Sequence, residues 1–225
     1  MKKPESAAPD IAGAKLRVAD ADANPFAEIH VRRAVSGEDL ERALEVRWRG
    51  YQKYFDRRES VRDVFDEQEN ATVLLASRPD GTAIGTLRIL DRRKGSIELD
   101  SFLDIDRLLP RERQPVAEAT RFAVPLGPDS RWIKLALWKA YYRYCWHEGL
   151  ATMLIAVRNS AARDYRSLLF ESLGEGGCFL HPTLGAKSHE TFAFDVPGGP
   201  ARYKTAQHPF YAFFVEQEHP QISFA

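Results

Sequence analysis

The chain of 225 residues carries 32 Lys and Arg against 32 Asp and Glu, so its formal net charge is +0. Non-specific binding to nucleic acid needs an excess of positive charge, which this chain lacks. Its longest apolar stretches, such as residues 152–157, are far too short to span a bilayer. Two cysteines exclude a disulfide scaffold and a cysteine-based zinc site. The start of the chain lacks the apolar segment of a secretion signal. We therefore expect a cytoplasmic protein that binds no nucleic acid and contacts membranes peripherally at most.

Residues 1–27 are rich in Ala, Asp, Lys and Pro and lack apolar periodicity, which predicts a mobile N-terminal tail before one domain over residues 28–225. Apolar alternation and short apolar runs predict strands at 28–35, 72–77, 83–91, 115–124, 152–157, 178–180 and 190–196. Helical periodicity predicts helices at 37–54, from 129 or 130 to about 149, at 160–173 and at 209–217. The charged residues 57–70 predict an exposed loop. This order indicates an α/β (α+β) fold with a mixed central sheet and helices on both faces.

The most informative stretch is the sequence EATRFAV at residues 118–124, in the fourth predicted strand. A buried strand rarely carries both a Glu and an Arg, because burying an unpaired charge is costly. Strand alternation places Glu118 and Arg121 on opposite faces. A β-bulge near Ala119 or Thr120 would turn both toward one cleft, whereas an edge strand would leave both charges in solvent. Composition alone leaves these two alternatives open.

Three further features accompany that stretch. Arg47 and Tyr51 are four residues apart and share one face of the first helix. Residues 66–69, which begin with Asp66, are acidic and precede the second strand, and Arg88 interrupts an otherwise apolar strand. Each feature alone is explained as well by a solvated surface charge. The six histidines show no metal-site spacing, so no metal is expected.

Taken together, these residues resemble a known family. Arg with an aromatic residue four positions on, an acidic segment, then G-T-x-R, then E-x-[ST]-R-F-x-V resemble the autoinducer synthases. Those enzymes make acyl-homoserine lactones on a fold similar to the GNAT N-acyltransferases, and the N-acyl amino acid synthases of that superfamily are similar too. The resemblance covers roughly residues 47–157 and implies a splayed, GNAT-like sheet that opens next to Val124.

The chain also departs from these families. The GNAT pyrophosphate pattern [RQ]-x-x-G-x-[GA] is missing, and residues 125–130 occupy its place. A tail and a strand precede the first helix, and the tryptophan that autoinducer synthases place soon after that helix is not evident. The late strands and the aromatic C-terminus favour the N-acyl amino acid synthase branch.

The resemblance implies roles for individual residues. Glu118 is the expected base, Arg121 is expected to orient it or to bind an acceptor carboxylate, and Tyr165 is expected to assist the departing thiolate. Further substrate contacts are expected from Arg47, Tyr51, Asp66, Arg88, Phe122 and Trp132. Donor contacts are expected from Phe122, Ala123, Val124, Arg131 and Lys134. Together with Lys139 and Arg143, the last two are also expected to form a basic docking patch on one helix.

The leading functional prediction is an N-acyltransferase. It would move a fatty acyl group from acyl carrier protein or acyl-CoA to the amino group of an amino acid or similar small amine. The acyl-phosphopantetheine thioester would be a co-substrate, with no tightly bound cofactor. The alternatives are an acyl-homoserine lactone synthase, whose acceptor is S-adenosylmethionine, and a non-catalytic module that binds an acyl ligand.

Overall fold

A computed structural model describes residues 24–182 and 187–224. Its described strands form one sheet in the order β1-β2-β3-β4-β5-β8-β6, with β7 paired to β8. The strands are β1 (His30–Arg33), β2 (Ala71–Ser77), β3 (Ala83–Asp91), β4 (Val116–Ala123), β5 (Thr152–Arg158), β6 (Glu171–Ser172), β7 (Cys178–His181) and β8 (Lys187–Asp195). The pairing of β4 with β5 is parallel, and the other strand pairings are antiparallel. The predicted mixed sheet is confirmed.

The helices cover both faces of this sheet. They are α1 (Gly37–Tyr51), α2 (Ile105–Leu108), α3 (Ser130–His147), α4 (Ala162–Ser167) and α5 (Gly199–Thr205). On β2, Val73 and Leu75 are grouped with the α1 residue Ala43, whereas Leu74 belongs to the larger core that includes α3. Because side chains alternate along a strand, α1 and α3 lie on opposite faces. The long helix α3 therefore makes the crossover between the two parallel strands β4 and β5.

Two glycines allow the helices to approach the sheet closely. A Cβ on Gly85 of β3 would lie 2.7 Å from Cγ2 of Ile133 on α3. A Cβ on Gly50 of α1 would lie 3.1 Å from the Cβ of Ala123 on β4. The second contact brings the end of α1 directly over the end of β4, where the predicted site residues lie.

The sheet opens between β4 and β5. Their paired residues run from Val116 opposite Thr152 to Ala119 opposite Ile155, and no pairing follows. Both strands continue, β4 as far as Ala123 and β5 as far as Arg158. The predicted splay is confirmed, and it begins at Thr120, ahead of the expected position next to Val124.

Several local predictions need correction. The prediction of an exposed loop at 57–70 is only partly right: residues 57–60 are exposed, but the segment includes 3₁₀ turns at Arg58–Val61 and Val64–Glu67, and the Asp66 side chain is only 9% exposed. The predicted helix over 160–173 is shorter, because α4 ends at Ser167 and Leu169 has a φ of 63°. The aromatic C-terminal helix is a π-helical turn at Ala212–Glu216, and α5, which precedes it, was not predicted.

Packing of the chain begins earlier than the predicted domain boundary. Phe26 is buried and stacks on Phe213 at a ring-centroid distance of 4.2 Å. It also meets the edge of Trp132 at 5.5 Å. Residues 24–27 thus pack against the domain although the sequence assigns them to the tail. The rest of the predicted tail, residues 1–23, lies outside the described residues.

Candidate active site

A β-bulge in β4 shapes the site. Thr86 of β3 pairs with Ala123, and Arg88 pairs with Thr120, so three steps along β4 oppose two steps along β3. Arg121 lies inside the bulge with a φ of 51°. This left-handed conformation is unusual for a residue with a side chain and is often found beside functional sites. Glu118 and Arg121 line the same cleft, so the structure selects the bulge over the solvated edge strand, and the bulge is centred after Thr120.

Two neighbouring clefts meet at the splay. The first, called the Glu118 cleft, has a volume of about 180 Å³ and is lined among others by Glu98, Phe102, Glu118, Arg121, His181 and His189. The second, called the Lys134 cleft, has a volume of about 230 Å³ and is lined among others by Lys53, Tyr54, Val124, Lys134, Trp138 and Asp164. Five residues line both: Tyr51, Phe122, Arg158, Ala161 and Tyr165. The opening between β4 and β5 therefore joins the two clefts.

Glu118 is a buried carboxyl in the first cleft. Its side chain accepts a hydrogen bond from the backbone N–H of Leu99 at 3.0 Å. Burial, together with the negative charge of Glu98, raises the pKa of Glu118 well above its usual value. A carboxylate with a raised pKa takes up a proton more readily, which suits it to act as a base near neutral pH.

A cluster of three arginines and three carboxylates supports this cleft. Arg47 donates to both oxygens of Asp66, at 2.7 and 2.8 Å. Arg88, which is fully buried, pairs with Asp63, Asp66 and Glu98. Arg121 donates from Nε to Asp63 at 2.8 Å and lies 3.8 Å from Glu98. We call these six residues the ion-paired cluster.

The cluster explains both depressed carboxyl pKa values. Burial alone would raise the pKa of Asp63, but hydrogen bonds from Arg88 and Arg121 lower it to about 2. Burial acts in the same upward direction on Glu98, where a hydrogen bond from His181 and the charges of Arg121 and Arg88 hold the pKa below its usual value. Asp63 and Glu98 therefore stay charged beside the arginines that pair with them.

Two tyrosines lie where the clefts meet. Tyr51 donates its hydroxyl to the backbone oxygen of Phe122 at 2.9 Å, which ties α1 to the bulge. Tyr165 packs edge-on against Trp138 at 5.3 Å, and burial raises its pKa above the usual value. The hydroxyl of Tyr165 thus stays protonated and can donate a hydrogen bond into either cleft.

The structure brings most of the predicted site residues together. Glu118, Arg121, Tyr165, Tyr51 and Phe122 line the Glu118 cleft. Ala123, Val124 and Lys134 line the Lys134 cleft. Arg47, Arg88 and Asp66 lie behind the first cleft as members of the ion-paired cluster, so they support the site without lining it. Arg121 was expected to orient Glu118, but it forms an ion pair with Asp63 and none with Glu118.

Four predicted residues lie elsewhere. Trp132 packs on Phe26 and lines neither cleft, and Arg131 stacks over the rings of Trp132 and Phe210. Lys139 is fully buried and donates to the backbone oxygens of Phe213 and Gln217. Arg143 donates to the backbone oxygens of His219 and Ile222. Lys139 and Arg143 hold the C-terminal segment, so they do not form the expected docking patch on α3, whereas a donor contact by Arg131 and Lys134 stays a prediction.

The sequence analysis missed four polar residues at the site. Asp63 and Glu98 complete the ion-paired cluster, His181 lies 3.4 Å from Glu98, and Arg158 lines both clefts. Of these four, only Arg158 could have been found from the sequence, because it is a charged residue directly after the apolar residues 152–157. Among the described residues, no group of His, Cys, Asp and Glu is arranged to hold a metal ion. No helix in the described part of the chain is long and apolar enough to cross a membrane.

Comparison with known proteins shows the family. The family model described as N-acyl amino acid synthase FeeM matches residues 46–189, more than half of the chain. The chain belongs to this family, and it is an acyltransferase that transfers an acyl group to an amine. A search of curated proteins found no match.

Solved structures share the fold at low sequence identity. FeeM, an N-acyl amino acid synthase from uncultured soil microbes, is 19% identical and has a TM-score of 0.67, covering 80% of this chain and 96% of FeeM. MesI, a CoA-dependent acyl-homoserine lactone synthase, is 19% identical with a TM-score of 0.55, covering 86% of this chain and 98% of MesI. A GNAT-family acetyltransferase from Staphylococcus aureus is 12% identical with a TM-score of 0.50, covering 75% and 99%. The fold is therefore GNAT-like, as the sequence resemblance implied.

Proposed function

We propose that the protein transfers a fatty acyl group from acyl carrier protein or acyl-CoA to the α-amino group of an amino acid, in the cytoplasm. The observation that carries this proposal is a buried carboxyl, Glu118, in a cleft that joins a second cleft through the splayed strands. Membership of the N-acyl amino acid synthase family supports the same reaction. The acyl thioester would enter from the Lys134 cleft and the amine from the Glu118 cleft.

The proposed reaction starts with Glu118. The amine nitrogen attacks the thioester carbonyl carbon while Glu118 takes a proton from that nitrogen. The new C–N bond forms, the C–S bond breaks, and the proton held by Glu118 becomes available to the departing thiolate. A base positioned in this way contributes roughly 10²–10⁴ in rate. Its raised pKa matches the task, because the amine proton must be accepted near neutral pH.

The bulge and the splay would hold the thioester. Beyond Ala119, β4 no longer pairs with β5, so its β5-facing backbone groups are available to a ligand. Those N–H groups among residues 122–124 that face β5 would bind pantetheine amides or the developing oxyanion, as preorganised donors do in acyl transfer. Tyr165, which lines both clefts, would donate a hydrogen bond to the departing sulfur.

The phosphate end of the donor would lie in the Lys134 cleft. Lys53 and Lys134 both line it, together with one carboxylate, Asp164, whose charge acts on Lys134. An apolar cavity beside it shares Trp138 and Leu168 and is lined further by Phe170, Phe194 and Phe214. This apolar space has a volume of only about 20 Å³, so the fatty acyl chain would enter it by moving its side chains apart, and burying methylene groups would stabilise the complex.

The test is direct. Purified protein is supplied with acyl carrier protein or CoA carrying acyl chains of several lengths, and with the twenty amino acids in turn. Mass spectrometry should detect an N-acyl amino acid together with the free thiol. Acylation of none of the amino acids, or thioester hydrolysis alone, would overturn the proposal.

A second acceptor is favoured by one specific observation. MesI, which shares the fold, is described as an acyl-homoserine lactone synthase. S-adenosylmethionine is therefore included among the acceptors, and a lactone product with release of methylthioadenosine would identify the second reaction. The expected tryptophan after α1 is absent from this sequence, which argues for the amino acid.

A further inference from the structure

Arg158 stands out among the arginines of the site. It is the last residue of β5, and it lines both the Glu118 cleft and the Lys134 cleft. Among the described residues, no acidic side chain forms an ion pair with it, whereas Arg47, Arg88 and Arg121 each have one or more carboxylate partners. Its charge is therefore available to a ligand.

We propose that Arg158 binds the carboxylate of the acceptor and so restricts the enzyme to amines that carry one. The inference rests on the proposed function and names the group that recognises the acceptor. Arg121, the residue that sequence resemblance suggested for this role, is already bound to Asp63 and lies 3.8 Å from Glu98. A second anion at Arg121 would have to compete with those carboxylates, while Arg158 forms no ion pair with a described carboxylate, and Asp164 lines the Lys134 cleft without lining the Glu118 cleft.

The guanidinium of Arg158 is held in place before any ligand arrives. Its Cζ lies 4.9 Å from the ring centroid of Tyr54, and Nη1 donates to the Tyr54 hydroxyl. One nitrogen is thus engaged, and the others remain for a ligand. A fixed, planar donor set of this kind matches the two oxygens of a carboxylate and loses little conformational entropy on binding.

The donor phosphate is the competing ligand for this cation. Two observations favour the acceptor carboxylate. The Lys134 cleft already contains Lys53 and Lys134, which are compact charges suited to a phosphate. In the Glu118 cleft, the other guanidinium, Arg121, is neutralised by Asp63. Arg158 is thus the guanidinium that an anion entering beside Glu118 would meet without displacing a carboxylate.

The experiment compares acceptors with and without a carboxylate. Initial rates are measured for the best amino acid acceptor, its primary amide and its decarboxylated amine, with wild type, Arg158→Gln and Arg158→Lys. Arg107→Gln is the matched control, because Arg107 is an exposed arginine on α2 that lines neither cleft. Circular dichroism of each variant checks that the fold is retained.

We expect Arg158→Gln to raise the KM for the amino acid by roughly 10- to 100-fold, the loss expected for hydrogen bonds to a charged group. The KM values for the amide and the amine should change less than threefold, as should the KM for the acyl donor. Arg158→Lys should recover part of the loss, since lysine keeps the positive charge but cannot donate two parallel hydrogen bonds to one carboxylate.

Two results would overturn the inference. An equal rise in KM for all three acceptors, or a rise confined to the donor, would assign Arg158 to the donor phosphate. Unchanged constants in Arg158→Gln would remove it from recognition altogether. Failure of the proposed function is distinguished by wild type, which would then acylate none of the three acceptors.

Discussion

Two regions of this molecule bury arginine or lysine side chains, and they satisfy them differently. In the ion-paired cluster, Arg47, Arg88 and Arg121 meet the carboxylates of Asp63, Asp66 and Glu98. On α3, Lys139 and Arg143 instead donate to backbone oxygens of the C-terminal segment. The first arrangement cancels charge and supports a cleft. The second leaves charge uncancelled, and burial together with the charge of Arg143 lowers the pKa of Lys139 to about 7.

This difference explains why the sequence placed one set of cations near the predicted base, as in the structure, and placed the other set on a docking surface that Lys139 and Arg143 do not form. A surface patch for a carrier protein and a buried clamp on the chain's own C-terminus look alike as lysines and arginines at helical spacing. What distinguishes them is the partner of each cation, which is water on a surface patch and a backbone carbonyl in a buried contact. That carbonyl belongs to a distant part of the chain, so local sequence does not show it.

The largest expected effect is the loss of kcat when Glu118 is replaced. The ion-paired cluster lies beside Glu118, but none of its arginines forms an ion pair with this carboxyl. Glu118→Gln should lower kcat by roughly 10²–10⁴ because it keeps the side-chain shape and removes the proton acceptor. Thiol release and mass spectrometry of the product measure it. Glu112→Gln, an exposed glutamate outside the clefts, is the control.

The pH profile sharpens this prediction. Because the pKa of Glu118 is raised, the acidic limb of kcat/KM should lie above the range of an ordinary glutamate, with activity lost as pH falls through it. Turnover within a few-fold of wild type in Glu118→Gln would remove Glu118 from the role of base.

The next effect is on stability, and it tests whether the cluster behaves as one balanced unit. Arg88→Met should destabilise the protein by about 3–5 kcal/mol, because three buried carboxylates lose a shared partner. Urea unfolding measures this change. Arg92→Met, which breaks the more exposed pairs with Asp100 and Asp106, should cost only about 0–1 kcal/mol. Equal losses would show that the buried cluster is no more strongly coupled than the surface pairs.

Much of the fold followed from local sequence signals. Ser36 caps α1 by accepting from the N–H of Asp39, and residues 83–91 form a strand with the predicted bounds. The cost of burying Glu118 and Arg121 in one strand raised the bulge as one of two alternatives, and the structure decides for it. The bulge lies one residue later than expected because Arg121 has a left-handed backbone conformation. Arginine rarely adopts a positive φ, so its presence at this position does not predict that conformation.

The partners of the site could not be predicted in the same way. Asp63 and Glu98 are separated from Arg121 by 58 and 23 residues in the sequence, and only the folded sheet brings them together. Their neighbourhoods are rich in charge, so nothing local distinguishes a carboxylate that turns inward from one in solvent. For the same reason Trp132 was assigned to a substrate pocket although it packs on Phe26.

A smaller effect concerns how the stability contributed by Lys139, on α3, changes with pH. The folded pKa of Lys139 is about 7, below the ordinary lysine value of about 10.4, so between these values the unfolded chain binds a proton that the folded chain does not. The stability of wild type relative to Lys139→Met should therefore rise as pH increases through this window. Urea unfolding at several pH values measures it, with the exposed Lys204→Met as control. A difference that does not vary with pH would contradict a depressed pKa.

The smallest effect separates the two basic residues at the start of α3, which sequence alone treats as a pair. Lys134 lines the second cleft, and burial lowers its pKa although the charge of Asp164 opposes the shift. Arg131, three residues earlier, stacks on Trp132 and Phe210 and lines neither cleft. Lys134→Gln should raise the donor KM by up to about tenfold, as expected for one lost charge-assisted hydrogen bond, and should do so for acyl-CoA and acyl carrier protein alike. Arg131→Gln should leave both donor constants unchanged.

Steady-state kinetics at low and high salt measure the effect. A charge at the rim that steers a carrier protein loses its influence as salt rises, whereas a direct phosphate contact inside the cleft loses less. An effect of Arg131→Gln confined to acyl carrier protein would restore part of the docking surface on α3, and equal effects of both variants would mean that the donor reaches beyond the Lys134 cleft.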